Sequence, residues 1–203
     1  MENTKQKILN AALDLFSTQG YEATSMLQIA ESVGIKKASL YSHFESKQEI
    51  LGLLIKCILE KYEKNSIFSA NKTTEKSFVY ETGDLTVDDA IKIILSHVSY
   101  ILHDPEISKS RKMLTIEQFR NHQIADLQTK QNYTNVMNFF KRIILSFIEQ
   151  GKLVDGDAEI MAAQLCSPIS IWINLCDREP LRETEIMSLI KRHSEQFFNI
   201  YKA

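Results

Sequence analysis

Glycine and proline are scarce in this chain: six and three among 203 residues. Few positions are therefore suited to positive φ or to breaking a helix, which favours helices with short connections. No stretch alternates apolar and polar residues over the length of a strand, and no segment repeats. No run of about 20 apolar residues occurs, so no membrane span is expected. The N-terminus, M-E-N-T-K-Q-K, is not followed by the apolar segment of a secretory signal. The three cysteines, Cys57, Cys166 and Cys176, form no C-x-x-C pair, and their number is odd. Reduced thiols in a cytoplasmic protein are the expectation. None of the five histidines, His43, His97, His103, His122 and His193, forms H-x-x-x-H or pairs with a cysteine at metal-ligand spacing. Nucleophile motifs, Gly-rich phosphate loops and paired carboxylates are missing too. Neither an enzyme nor a bound metal or cofactor is expected.

What remains is ordinary for a globular protein: 44% apolar and 25% charged residues. The length allows one or two domains with a real core. The net charge of −2 argues at first against a nucleic-acid partner. Residues 1–50 hold five lysines against six acidic residues, so this segment is not basic overall either. Distribution decides more than the sum. Lys36, Lys37 and Lys47 fall close together, and a modest local positive face is expected there, with limited electrostatic affinity per subunit.

Helical signals run through the chain. Lys5 to Thr18 carries an apolar stripe of Ile8, Ala12, Leu15 and Phe16, closed by Gly20. Ser46-x-x-Glu49 is a capping box for a helix of about 20 residues, roughly 30 Å long. Asn65 to Asp84 is polar and reads as a loop or frayed end. Thr86-x-x-Asp89 caps a helix that ends at Asp104-Pro105, and the next reaches about Arg120. A long helix is expected from about Gln123 to Gln150, ended by Gly151. Asp157 caps another, in which Pro168 is expected to produce a kink. Arg178-Glu179-Pro180 turns the chain, and Arg182 to Tyr201 is the last helix. The fold expected is all-α with about nine helices: a three-helix head and a larger helical body.

Within the head, Thr24 to Lys47 stands out. Ser25 caps a short helix, with Gln28 as capping-box partner, and Met26, Ile29, Ala30 and Val33 form its apolar stripe. Gly34 ends it, and Ile35 plugs the corner. Lys36 to Phe44 forms a second helix, with Leu40 and Phe44 inward and Lys37, Ser39, Tyr41 and Ser42 outward. Two short helices about a Gly-containing turn make a helix-turn-helix, whose second helix can lie in a DNA major groove. The helix N-terminus at Thr24 and Ser25 favours a phosphate. Tyr41, His43 and Lys47 can meet phosphate oxygens, which positions a protein but reads little sequence. Lys36, Lys37, Ser39 and Ser42 are candidates for base edges, and Ala38 for a thymine methyl.

The run T-S-x-x-x-I-A-x-x-x-G-I-x-K-A-S-L-Y-x-H-F-x-S-K, with A-A-L-D-L-F-S-T-Q-G-Y-E-A-T before it, resembles the DNA-binding signature of the tetracycline-repressor (TetR) family. The resemblance covers about residues 5–60. Lys36 stands where the family usually has a small hydroxyl residue, and Ala38 where Gly is frequent. The first departure removes a helix cap and adds a positive charge. The resemblance implies that Thr24, Lys37, Tyr41, His43 and Lys47 lie at the DNA. It implies a helix-turn-helix DNA-binding domain at residues 1–47 and a ligand-binding and dimerisation domain at 48–203. It also implies that the last two helices pair with their copies in a homodimer, for which Ile169, Trp172, Ile186, Leu189 and Phe197 are candidates. Phe119, Tyr133, Phe139, Phe140 and Trp172 are candidates for an apolar pocket for an unidentified small-molecule effector. A cytoplasmic repressor that binds double-stranded operator DNA as a dimer and is released by a ligand is the expected function. The alternative is a ligand-binding or protein-interaction module whose head has weak or lost DNA binding.

Overall fold

The computed structural model describes residues 3–65 and 85–203. Except for Asn65, the polar stretch expected as a loop lies outside the described residues. Among those described, the regular elements are helical, and one isolated antiparallel bridge joins Leu153 to Lys202. The helices are α1 (Thr4–Gln19), α2 (Met26–Val33), α3 (Lys37–Tyr41), α4 (Lys47–Asn65), α5 (Val87–His103), α6 (Pro105–Glu117), α7 (His122–Thr129), α8 (Asn135–Glu149), α9 (Ala158–Arg178) and α10 (Glu183–Ile200). A π-helical segment, Lys130–Thr134, stands between α7 and α8 with no loop on either side. These three segments occupy the place of the single long helix expected there, so the all-α reading with about nine helices holds among the described residues.

The helix ends follow local chemistry. Thr86 Oγ1 accepts from the Asp89 N–H at 3.2 Å, and Asp89 Oδ2 accepts from the Thr86 N–H at 3.2 Å, completing a capping box. Asp157 Oδ1 accepts from the N–H groups of Glu159 and Ile160, at 3.0 and 3.2 Å. Gly151, with φ of 65°, ends the helical run through α8. Pro168 does not end α9, which is helical on both sides of it.

Contacts gather the described helices into two compact units. The first holds α1 to α4 together with α6 and α7; the second holds α5, the π segment, α8, α9 and α10. This line differs from a single cut after residue 47. The reason is packing: Ile107, Met113 and Leu114 of α6 are buried in the unit that contains α1, so a segment late in sequence completes the head's core. In that core lie Ile8, Ala12 and Phe16 of α1, Ile29 and Ala30 of α2, Leu40 of α3, and Ile50, Leu51 and Ile58 of α4. The second unit buries Ile94 and Val98 of α5, Phe140, Ile144 and Phe147 of α8, Leu165 and Ile169 of α9, and Ile186, Ile190, Phe197 and Phe198 of α10.

The same core sets one pH dependence. Burial pushes the His97 imidazole on α5 from 6.5 down to about 4. Between those values the unfolded chain binds a proton at this site and the folded chain does not, so stability rises as pH rises from about 4 to 6.5. The shift corresponds to roughly 3 kcal/mol for a fully enclosed ring. His97 is half-buried, and about 1–2 kcal/mol is expected after discounting for solvent. Urea melts across this interval should show His97→Gln losing less stability on acidification than the wild type. Parallel curves for the two proteins would show that His97 does not contribute.

Candidate nucleic-acid interface

The surface of interest is built on the turn between α1 and α2. Gly20, with φ of 85°, closes α1 by donating its N–H to the Phe16 carbonyl. Thr24 Oγ1 donates to the Gly20 carbonyl at 2.8 Å and accepts from Gln19 Nε2 at 3.1 Å. Ser25 then starts α2. Its Oγ accepts from the Gln28 N–H at 3.2 Å, and Gln28 Oε1 accepts from the Ser25 N–H at 2.8 Å. The expected capping box is present. Gly34 ends α2 in the left-handed region, at φ 74° and ψ 31°, and the Ile35 N–H bonds to the Ala30 carbonyl at 3.0 Å.

α3 is shorter than the helix expected from Lys36 to Phe44: it spans five residues, and Ser42 and His43 continue as a turn. The Phe44 N–H still bonds to the Leu40 carbonyl at 3.1 Å, which keeps the inward residues in register. Leu40 and Phe44 are buried, at 0% and 1% exposure. Lys36 holds the N-cap position and supplies no side-chain cap, as its replacement of a hydroxyl residue implies. Lys36, Lys37, Ala38, Ser39, Tyr41 and Ser42 are exposed, and His43 is half-buried. Lys37 Nζ lies 5.9 Å from the centre of the Tyr41 ring, and Ser42 Oγ donates to the Ser39 carbonyl at 2.7 Å. Two apolar anchors thus hold a five-residue helix whose remaining face is polar and open.

Two of the candidates sit differently from the rest. Thr24 is buried at 2% exposure with its hydroxyl already bonded, so its side chain shapes the turn and does not project from it. Lys47 turns inward as well. Its ammonium donates to the carbonyls of Tyr21 at 2.7 Å and Thr24 at 2.8 Å, and it lies 4.1 Å over the Tyr21 ring. These contacts satisfy carbonyl oxygens of the turn, that of Tyr21 in addition to its bond from the Thr24 N–H at 3.2 Å, and they take the charge of Lys47 out of the outward face. Lys36 and Lys37 remain as its exposed lysines. Tyr21 is a residue that sequence reasoning missed. Its hydroxyl donates to Gln48 Oε1 at 2.9 Å, its N–H donates to Glu117 Oε1 at 2.8 Å, and burial, then Glu22 and Glu117, raise its phenol pKa.

The residues proposed for a pocket differ in exposure. Phe119 and Tyr133 are exposed, at 89% and 63%, while Phe139 and Phe140 are closed into the core of the second unit. Trp172 is half-buried and meets His193 edge to face at 5.5 Å. Of the interface candidates, Ile169, Ile186 and Phe197 are buried inside the chain's own second unit, with only Trp172 and Leu189 half-exposed. The outward apolar residues of α9 are Ile160 and Ile171, at 54% and 65% exposure. A helical stripe alone could not separate the face turned to the core from the face turned away, because α9 is apolar on both.

Among the described residues, no cluster of three or more His, Cys, Asp or Glu side chains could hold a metal ion, and no helix is long and apolar enough to cross a membrane.

Comparison with known proteins decides what this head is. The sequence model for bacterial regulatory proteins of the tetR family matches residues 8–54. The head matches the TetR family. A curated relative is IcaR of Staphylococcus aureus (strain Newman), the biofilm operon icaADBC HTH-type negative transcriptional regulator, 44% identical over 69 residues. That match spans 34% of this chain and 37% of IcaR, so only about a third of the relative's length is shared. Beyond the TetR head, the likeness is one of fold. SmeT, the repressor of the Stenotrophomonas maltophilia multidrug efflux pump SmeDEF, aligns over 100% of this chain and 92% of its own, with a TM-score of 0.65 at 17% identity. SmeT in complex with triclosan aligns over 100% and 93%, with a TM-score of 0.64 at 17% identity. The matched TetR segment contains every candidate DNA residue from Thr24 to Lys47.

Proposed function

We propose that this chain is a dimeric transcriptional regulator that binds operator DNA through α3 and represses until a small molecule binds its second unit. The observation that carries the reading is the outward face of α3. Six consecutive-turn positions, Lys36, Lys37, Ala38, Ser39, Tyr41 and Ser42, are exposed on a helix whose anchors Leu40 and Phe44 are fully buried. That arrangement suits entry into a major groove, with lysine reaching guanine O6 and N7 and hydroxyls meeting bases or phosphates. Ser25, at the N-cap of α2, offers a second contact to the backbone, where free N–H groups favour a phosphate.

A single α3 face with two outward lysines offers little electrostatic affinity, so two copies on half-sites 34–36 Å apart, or a multiple of that, carry the binding. Residues 1–47 take the DNA-binding role and 48–203 the ligand-binding and dimerisation role. Repression is supported by the likeness to IcaR, a negative regulator, and to SmeT, a repressor. Release by a small apolar compound is supported by the likeness to SmeT bound to triclosan. Ligand and operator then favour different arrangements of the two heads, and each weakens the other's binding by the same factor. Such a protein works in the cytoplasm, with its DNA.

Fluorescence anisotropy on duplexes tiled across the DNA flanking the chain's own gene tests this, with a shuffled duplex as control. Tight binding to one near-palindromic tile that weakens as salt is raised is the expected result. Equal, weak, salt-independent binding to every tile would replace it with the interaction-module reading.

A further inference from the structure

We infer that Glu117, the last residue of α6, is a positioning residue for operator binding: it fixes the α1–α2 turn and through it the N-terminus of α2. The inference rests on the DNA-binding reading above. It concerns a residue 63 positions beyond the end of the matched TetR segment at residue 54.

Three observations converge on Glu117. Its side chain is buried, at 3% exposure, and its Oε1 accepts from the Tyr21 N–H at 2.8 Å across 96 residues of sequence. A carboxylate is taken out of water only where polar groups replace its hydration, and here the group supplied is a backbone amide of the turn. Second, the approach is close. A Cβ placed on Gly20 would meet Glu117 Oε1 at 3.1 Å and Ile116 Cγ2 at 3.3 Å, so the end of α6 rests directly on the turn's backbone. Third, the same residue is held from the other side. Lys47 at the start of α4 donates to the Tyr21 carbonyl at 2.7 Å, while Tyr21 Oη bonds to Gln48 at 2.9 Å. Lys109, further back on α6, pairs with Asp14 on α1.

The turn from Gly20 to Thr24 is thus the place where α1, α2, α4 and α6 meet. Ser25, whose N-terminal position is the candidate phosphate contact, follows directly. Releasing Glu117 leaves Lys47 to hold the Tyr21 carbonyl while its N–H side is free. The turn then samples arrangements in which the ends of α2 and α3 no longer fit one groove together, and affinity falls in proportion to the competent fraction.

The test uses the full chain and the operator duplex found by tiling, with Glu117→Gln, Glu117→Met and Glu117→Asp. Gln keeps an acceptor at the same reach, Met fills the space without one, and Asp keeps the charge but falls short of Tyr21. Glu117→Gln is expected within ~3-fold of wild-type affinity, and Glu117→Met and Glu117→Asp at least ~10-fold weaker, at the wild-type salt slope because no phosphate contact is lost. Hydrogen exchange at the Tyr21 amide should quicken in Met and Asp and stay slow in Gln. If Glu117→Met does not fold, Glu117→Asp carries the same comparison. Wild-type affinity in a folded Met or Asp variant would overturn the assignment, and so would equal losses in Gln and Met, which would make charge the cause. Wild-type protein that binds no duplex at all would fail the DNA-binding reading, and this assignment with it.

Discussion

Lys37→Ala should weaken operator binding by roughly 30- to 150-fold without changing the melting temperature. Lys37 is exposed on α3, and its one ring contact, to Tyr41 at 5.9 Å, is a weak one. Its loss therefore costs the fold almost nothing. Each lysine-to-DNA contact is worth about 1–1.5 kcal/mol at the low end of base readout, and a dimer loses two. Two such losses come to about 2–3 kcal/mol, which at 1.4 kcal/mol per decade gives the expected range. The salt dependence separates the modes of contact. If both copies of Lys37 neutralise phosphates, the slope of log K against log salt should fall by about 1.8. If they read guanine edges, the slope changes little and preference at one base pair of each half-site relaxes. Anisotropy titrations at three salt concentrations, with Lys37→Ala beside wild type, give both quantities. Wild-type affinity in the variant would remove α3 from the interface. Lys47→Ala makes a useful contrast. Its ammonium is spent on the carbonyls of Tyr21 and Thr24, so its loss should appear in thermal stability as well as in DNA affinity.

Ile171→Asp should turn a dimer into a monomer and lower operator affinity by ~100-fold or more, since each head would then bind alone. Ile171 lies on the outward face of α9 with Ile160, and positions 160, 164, 167, 171 and 174 recur at three- and four-residue steps along one side. The two isoleucines are 54% and 65% exposed, while Ile169, Ile186 and Phe197 face the chain's own core. A charge at position 171 can therefore act on self-association with little effect on the fold of the monomer. Light scattering after gel filtration reads the outcome: about 47 kDa, twice the chain mass of 23.4 kDa, for wild type and Ile171→Val, against 23.4 kDa for Ile171→Asp. A variant that stays at the doubled mass would place the interface on another face.

How much of this was legible beforehand divides along the range of the interactions. The caps of α2, α5 and α9 were readable because each is a bond between residues two or three apart: Ser25 with Gln28, Thr86 with Asp89, Asp157 with Glu159 and Ile160. Gly34 and Gly151 mark helix ends for an equally local reason, their positive φ. The outward face of α3 also followed from spacing alone, since Leu40 and Phe44 take its inner side.

The tertiary structure decided what the same residue types do once distant segments meet. Lys47 reads as a DNA-facing cation until α4 packs beside the α1–α2 turn; then three carbonyl oxygens lie within 3.5 Å and its charge is used there. Thr24 reads as a phosphate contact until its hydroxyl finds Gly20 and Gln19. Ile186 and Phe197 have the pattern of an interface and are core, because a stripe that is apolar on two sides does not say which side meets its own chain. Glu117 carried no motif at all, and its role depends on an amide 96 positions away. Local hydrogen-bond geometry and periodicity are properties of a few neighbouring residues, so the amino-acid sequence by itself determined where most helices lie, the caps of α2, α5 and α9, and which side of α3 faces outward. Which polar group is satisfied within the chain, and which is left for a partner, depends on what packs beside it, and only the assembled helices settle that.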